Sequence, residues 1–111
     1  MTFETTDHAG VQVIHLHGEL AGDAMAKFVA HVTNLLSAAR ARIVLELSDV
    51  PFMNSTALGQ LVRVVAQANV QEGRVVLAHP SPFVEGVLLT TRLDRFFEIF
   101  PSVDEALRTI K

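Results

Sequence analysis

The chain has no cysteine, no excess of basic residues and no long apolar run, and each absence removes a class of function. Without cysteine there are no disulfides, thiolate zinc sites, iron–sulfur clusters or thiol nucleophiles. Nine Lys and Arg against twelve Asp and Glu give a formal net charge of −3, the wrong sign for sequence-independent binding to a phosphate backbone. No apolar stretch approaches the roughly 20 residues of a membrane span. The opening MTFETTDHAG lacks the basic-then-apolar order of a secretion signal. Repeats, low-complexity tracts and Pro/Gly/Ser-rich linkers are missing too. What is there is 111 residues, 50% of them hydrophobic, which suffices for one core. The expectation is a single soluble, cytoplasmic domain over residues 1–111.

The pattern along the chain predicts alternating strands and helices. Thr2–Thr6 and Val11–His17 read as strands joined by a four-residue turn, Asp7-His8-Ala9-Gly10, giving an antiparallel hairpin that Gly18 closes. Met25, Phe28, Val29, Val32, Leu35 and Leu36 fall on one face of a first helix, with Asp23 as its N-cap. Ile43-Val44-Leu45-Glu46-Leu47 is the mostly apolar run of a central strand covered on both faces. A second helix starts near Ser55 with Leu58, Leu61, Val62, Val65 and Ala66 inward and Gln60, Arg63, Gln67 and Gln71 outward. Gly73 is its left-handed stop.

Arg74–Ala78 is another buried strand. Ser81-Pro82 opens a third helix with Phe83, Val84, Val87 and Leu88 inward. Phe96–Phe100 is a last short strand, and Ser102-Val103-Asp104-Glu105 is a capping box launching a final helix with Val103, Ala106, Leu107 and Ile110 inward. The order β-β-α-β-α-β-α-β-α predicts an α/β fold: a mixed, mainly parallel sheet of about five strands packed by about four helices. The pattern leaves the strand order open.

Catalytic templates are missing. Gly18-Glu19-Leu20-Ala21-Gly22 lacks both the Lys-Ser/Thr of a phosphate loop and the dinucleotide spacing, and no serine sits in G-x-S-x-G. His15 and His17 alternate on a strand and could face one way like metal ligands, but a third ligand is not apparent, and His8 and His79 are candidates by type alone. No close carboxylate pair divides acid and base roles. The expectation is a protein that is not an enzyme and needs no cofactor.

One segment stands apart, Val50-Pro51-Phe52-Met53-Asn54-Ser55-Thr56-Ala57-Leu58-Gly59. It joins a buried strand to an amphipathic helix and sets Ser55 and Thr56 at a helix N-terminus, where free amides and the helix dipole favour an anion such as phosphate. The plainer alternative is that Asn54 or Ser55 is simply a cap.

This segment, Gly18-Glu19-Leu20, Gly73-Arg74-Val75-Val76-Leu77, Pro80-Ser81-Pro82 and Leu93-Asp94, in that spacing over nearly the whole chain, resembles the STAS family, in particular the bacterial anti-sigma factor antagonists. The resemblance implies a partner switch. Unphosphorylated, such a protein binds an anti-sigma factor, usually a serine kinase of the GHKL ATPase type, and so frees a sigma factor. Phosphorylation of a serine at the start of the second helix ends binding, and a serine phosphatase restores it. The family pattern Asp-Ser-Ser/Thr-Gly-Leu reads here Asn54-Ser55-Thr56-Ala57-Leu58, which puts Ser55 on the acceptor position with Thr56 beside it.

Asn54 replaces the usual Asp, Ala57 the usual Gly, and Ala21 an Asp common after Gly-Glu-Leu. The implied partner-binding residues are Phe52, Met53, Asn54, Ser55, Thr56, Gln60 and Arg63, joined by the start of the third helix. The implied state is a monomer that neither inserts in a membrane nor binds nucleic acid directly. The same family also suggests an alternative: a non-catalytic STAS subunit of a lipid-transport ABC complex or of a stress-signalling scaffold, without Ser55 phosphorylation. Neighbouring kinase or transporter genes discriminate the two.

Overall fold

The computed structural model describes residues 1–110. Its elements are β1 (Thr2–His8), β2 (Val11–His17), α1 (Asp23–Leu36), β3 (Arg42–Asp49), α2 (Ser55–Val70), β4 (Arg74–Ala78), α3 (Pro82–Thr90), a short 3-10 turn (Leu93–Arg95), β5 (Ile99–Phe100) and α4 (Val103–Thr109). The predicted alternation is present.

The sheet runs β1-β2-β3-β4-β5 in sequence order, with β1 antiparallel to β2 and every later pair parallel. Right-handed crossovers between successive neighbours carry α1, α2 and α3 to one face. On that face Ile14, Leu16, Ile43, Leu45, Leu47, Val75 and Leu77 pack against Met25, Phe28 and Val32 of α1, Leu61 and Val65 of α2, and Val84 and Leu88 of α3. The alternate residues Val13, Val44, Val76 and Ala78 face the other way and meet Ala106 of α4 and Ile110 at its C-terminal end. Two hydrophobic faces on one sheet explain why β3, apart from Glu46, and β4 read as apolar runs. At the rim, Arg74 grips Glu98 with a two-pronged ion pair, Nε to Oε1 at 2.8 Å and Nη2 to Oε2. That bond holds the Glu98 carboxyl below its ordinary range.

Several local expectations are corrected. β1 continues to His8, so the hairpin turn is only Ala9-Gly10, both at positive φ (54° and 92°) as a tight turn between right-twisted strands requires. Asp23 is the first residue of α1 rather than its cap; the cap position is Gly22 at φ 71°, a conformation that favours glycine, and no side chain bonds there. In α2 the buried residues are Ala57, Leu61, Val64, Val65 and Ala68, so the inward stripe is rotated and Ala66 is exposed. The left-handed residue after α2 is Glu72 at φ 60°. Gly73 is needed for space instead, since a Cβ there would sit 3.3 Å from the Ala41 carbonyl oxygen and from Leu36 Cδ2. β5 keeps only Ile99 and Phe100, because Leu93–Arg95 coil into the 3-10 turn and the chain turns again through Phe96. Phe83 faces out of α3, not inward.

Candidate functional site

β3 delivers the chain to the end of the sheet at Asp49, and residues 50–54 carry it to α2. Backbone bonds fix this loop against the segment after β2. Gly18 N donates to Asp49 O (2.9 Å), Leu20 N to Phe52 O (2.9 Å), and Asn54 N to Leu20 O (3.2 Å). From the other side the Ser81 hydroxyl donates to Val50 O at 2.6 Å and accepts from Val84 N at 3.2 Å. One buried serine thus caps α3 and anchors the loop.

Within the loop, Val50 and Met53 point into the core. Met53 is only 4% exposed, unlike its neighbour. Phe52 is 41% exposed and its ring lies 5.4 Å from that of Phe83, which is 37% exposed, at an interplanar angle of 44°. Asn54 is the N-cap of α2, its side-chain oxygen accepting from Ala57 N at 2.8 Å. Ser55 and Thr56 follow, both exposed, and among the described residues the Ser55 hydroxyl makes no hydrogen bond. No acidic residue lies in the first turn of α2, so the positive end of its dipole is not offset by a carboxylate there.

Ser55 lines a groove of about 220 Å³ with Met53, Asn54, Leu58, Val87 and Thr91. Val87 and Thr91 also line an adjoining hollow of about 400 Å³ that contains Phe83 and Gly86. Gln60 and Arg63 are not part of this surface. They line a separate cleft of about 210 Å³ with Val29 and Thr33 of α1. The predicted residues thus divide: Met53, Asn54 and Ser55 line the groove, Phe52 stacks on Phe83, and Gln60 and Arg63 line the cleft on another side of α2, on the helical face that Thr56 shares at i, i+4 and i+7. Sequence reasoning missed Phe83 as a surface residue and Val87 and Thr91 as groove walls. The available signal was the i, i+4 pair Val84 and Leu88, which alone defines the buried stripe of a nine-residue helix. A larger cleft of about 690 Å³ lies between the hairpin turn and α4, at the opposite end of the strands from Ser55.

The histidines take other partners. His17 Nδ1 lies 2.8 Å from Asp49 Oδ2 and its Nε2 lies 3.0 Å from Glu4 Oε1. His15 Nδ1 is 3.4 Å from Glu46 Oε2. Burial alone would raise the Glu46 carboxyl, but the Ser48 hydrogen bonds and His15 outweigh it and hold it below its ordinary value. Among the described residues no group of three or more His, Cys, Asp or Glu is arranged to hold a metal ion.

The STAS domain family model matches residues 2–106. The chain belongs to the STAS domain family. A Thermotoga neapolitana protein named as an anti-sigma factor antagonist homolog is 36% identical over 70 residues, 63% of this chain and 62% of that relative, so the match spans less than two thirds of the relative's length. The crystal structure of a Thermotoga maritima protein described as an anti-sigma factor antagonist superposes with a TM-score of 0.89 at 28% identity, covering 97% of this chain and 93% of the other. The anti-sigma factor antagonist SpoIIAA in its unphosphorylated form gives a TM-score of 0.80 at 25% identity, over 96% and 93%. This STAS domain therefore shares its α/β architecture with anti-sigma factor antagonists. Among its described residues no helix is long and apolar enough to cross a membrane.

Proposed function

We propose that this STAS domain is an anti-sigma factor antagonist that works by partner switching, with Ser55 as the phosphorylated residue. In the unphosphorylated form the Phe52–Thr56 loop and the start of α3 dock on an anti-sigma factor, a serine kinase of the GHKL ATPase type, which then releases its sigma factor. The domain is the kinase's substrate and catalyses nothing itself; ATP and magnesium belong to the kinase, and a serine phosphatase resets the switch.

The observation that carries this reading is the division of labour at the start of α2. Asn54 does the capping, so the Ser55 hydroxyl is exposed and uncommitted in a groove whose walls Val87 and Thr91 also bound the hollow lined by Phe83. A phosphate there brings about −1.5 to −2 charges at neutral pH. The fold tolerates it, since helix amides and the dipole favour an anion and the first turn carries no carboxylate. A docked partner does not, because the charge must be desolvated in an interface built around two aromatic rings. Asn54 in place of aspartate strengthens the first half of this argument by removing a negative neighbour.

The test is to incubate the domain with its kinase and ATP and locate the phosphate by mass spectrometry. The expected result is one phosphate on Ser55, an unchanged fold by circular dichroism, and loss of kinase binding. Phosphorylation elsewhere, or none, sinks the switch. If the domain instead co-purifies with transporter or scaffold proteins, the alternative reading of the family applies.

A further inference from the structure

β3 carries a bulge directly before the loop that presents Ser55. His15 pairs with Glu46 and His17 with Asp49, so two steps along β2 match three along β3. Glu46 and Asp49, three residues apart, belong on opposite faces of a regular strand. The extra residue, Ser48, brings both carboxylates to the same face. Its amide is satisfied by Glu46 Oε1 at 2.6 Å.

This geometry sets His17 between two carboxylates from different strands, Asp49 at the end of β3 and Glu4 in β1. Only the imidazolium donates at both ring nitrogens. A neutral ring donates at one and turns a lone pair on the other carboxylate, so one contact is lost with the proton. The other titratable groups on this end of the face are the His15–Glu46 pair and the Met1 amino group, which lies beside Gly18. α4 covers Val13, Val44, Val76 and Ala78, and the charged groups that act on His17 are Asp49 and Glu4. Asp49 is also the root of the loop, since its carbonyl accepts from Gly18, and Leu20 and Asn54 extend the same seam.

We infer that His17, bridging Glu4 and Asp49, is a proton-operated clamp on the loop that presents Phe52 and Ser55. With the proton on, β1, β2 and the root of the loop are tied together. With it off, one tie opens and the seam from Gly18 to Asn54 loosens. The consequence for partner binding rests on the function proposed above; the behaviour of the loop does not. The Asp49 and Glu4 hydrogen bonds raise His17 above its ordinary value of 6.5, so the clamp is closed below that pH and opens as the pH rises through the higher value.

The test is amide hydrogen exchange by NMR on the isolated protein between about pH 6 and 9, with rates normalised to their intrinsic pH dependence. Protection of the Leu20 and Asn54 amides is expected to fall several-fold along the same curve as the His17 ring signals. His17→Gln and Asp49→Asn are expected to show no step, and His15→Gln to keep it. Flat protection through the His17 titration, or a step that survives in both His17→Gln and Asp49→Asn, overturns the clamp. Binding of the anti-sigma factor in the same pH series separates the two claims. A protection step without any binding overturns the proposed function alone, and binding without a step overturns the clamp alone.

Discussion

The Asn54 side-chain oxygen accepts from the Ala57 amide at 2.8 Å, and this one bond decides which residue of the Asn-Ser-Thr sequence is structural. Replacing Asn54 by Ala is expected to cost about 1 kcal/mol, lowering Tm by about 4 °C. Ser55→Ala is expected to leave Tm within about 1 °C, as befits an exposed side chain without bonds. Thermal unfolding of the two variants side by side checks this. Equal losses mean that Ser55 shares the cap and is not free for a kinase.

In the proposed switch the exposed Phe52–Phe83 pair is the apolar centre of the docking surface. Phe52→Ala is expected to weaken binding of the anti-sigma factor by about tenfold or more, with loss of stability near 1 kcal/mol because the ring is already partly in water. Titration calorimetry with the partner measures the first and denaturant unfolding the second. A large stability loss with unchanged affinity assigns the ring to the core.

Two glycines are expected to respond with opposite sign. Gly59 lies inside α2 with open space where a Cβ would go, so Gly59→Ala should stabilise by about 1 kcal/mol. At Gly73 the new methyl meets the Ala41 carbonyl, which is fixed by its bond from Arg74 N at 2.8 Å. Gly73→Ala should therefore destabilise. Urea midpoints for both variants decide it.

Stability should pass through a maximum with pH. Glu98 is lowered by Arg74, and Glu46 is lowered by Ser48 and His15 against its burial; their contributions are complete above the ordinary value of 4.5 and are lost as pH falls through the lowered values. His17 is raised by Asp49 and Glu4, and its contribution is complete below 6.5 and lost as pH rises through its raised value. These three groups together favour the window between 4.5 and 6.5. Unfolding free energy measured across pH should show His17→Gln flattening the alkaline side and Arg74→Ala the acid side.

The sequence made the element order legible because strands such as Arg74–Ala78 and caps such as Ser81 and Ser102 depend on local patterns. It misplaced features that depend on tertiary fit. Val64 and Ala68 turn inward where Ala66 was expected, since α2 packs against both α1 and the sheet and its buried stripe follows their combined shape. Phe83 looked like core by composition, but its position beside Pro82 places it over Phe52, a contact set by a loop that no helical period describes. The bulge at Ser48, which aligns Asp49 with His17, is invisible in a run that reads as a regular strand. Ser55 itself was legible as a position through its family pattern. Its freedom from the cap emerged only with the Asn54 bond.

The proposed switch requires that charge on Ser55 abolish docking while leaving the fold intact. The most direct measurement is a paired pull-down from the source organism with immobilised wild type and Ser55→Glu, both verified as folded, followed by mass spectrometry of the retained proteins. Wild type is expected to retain an ATPase-domain serine kinase and Ser55→Glu to lose it. Equal retention of that kinase by the two baits, or of the same transporter or scaffold proteins instead, contradicts it.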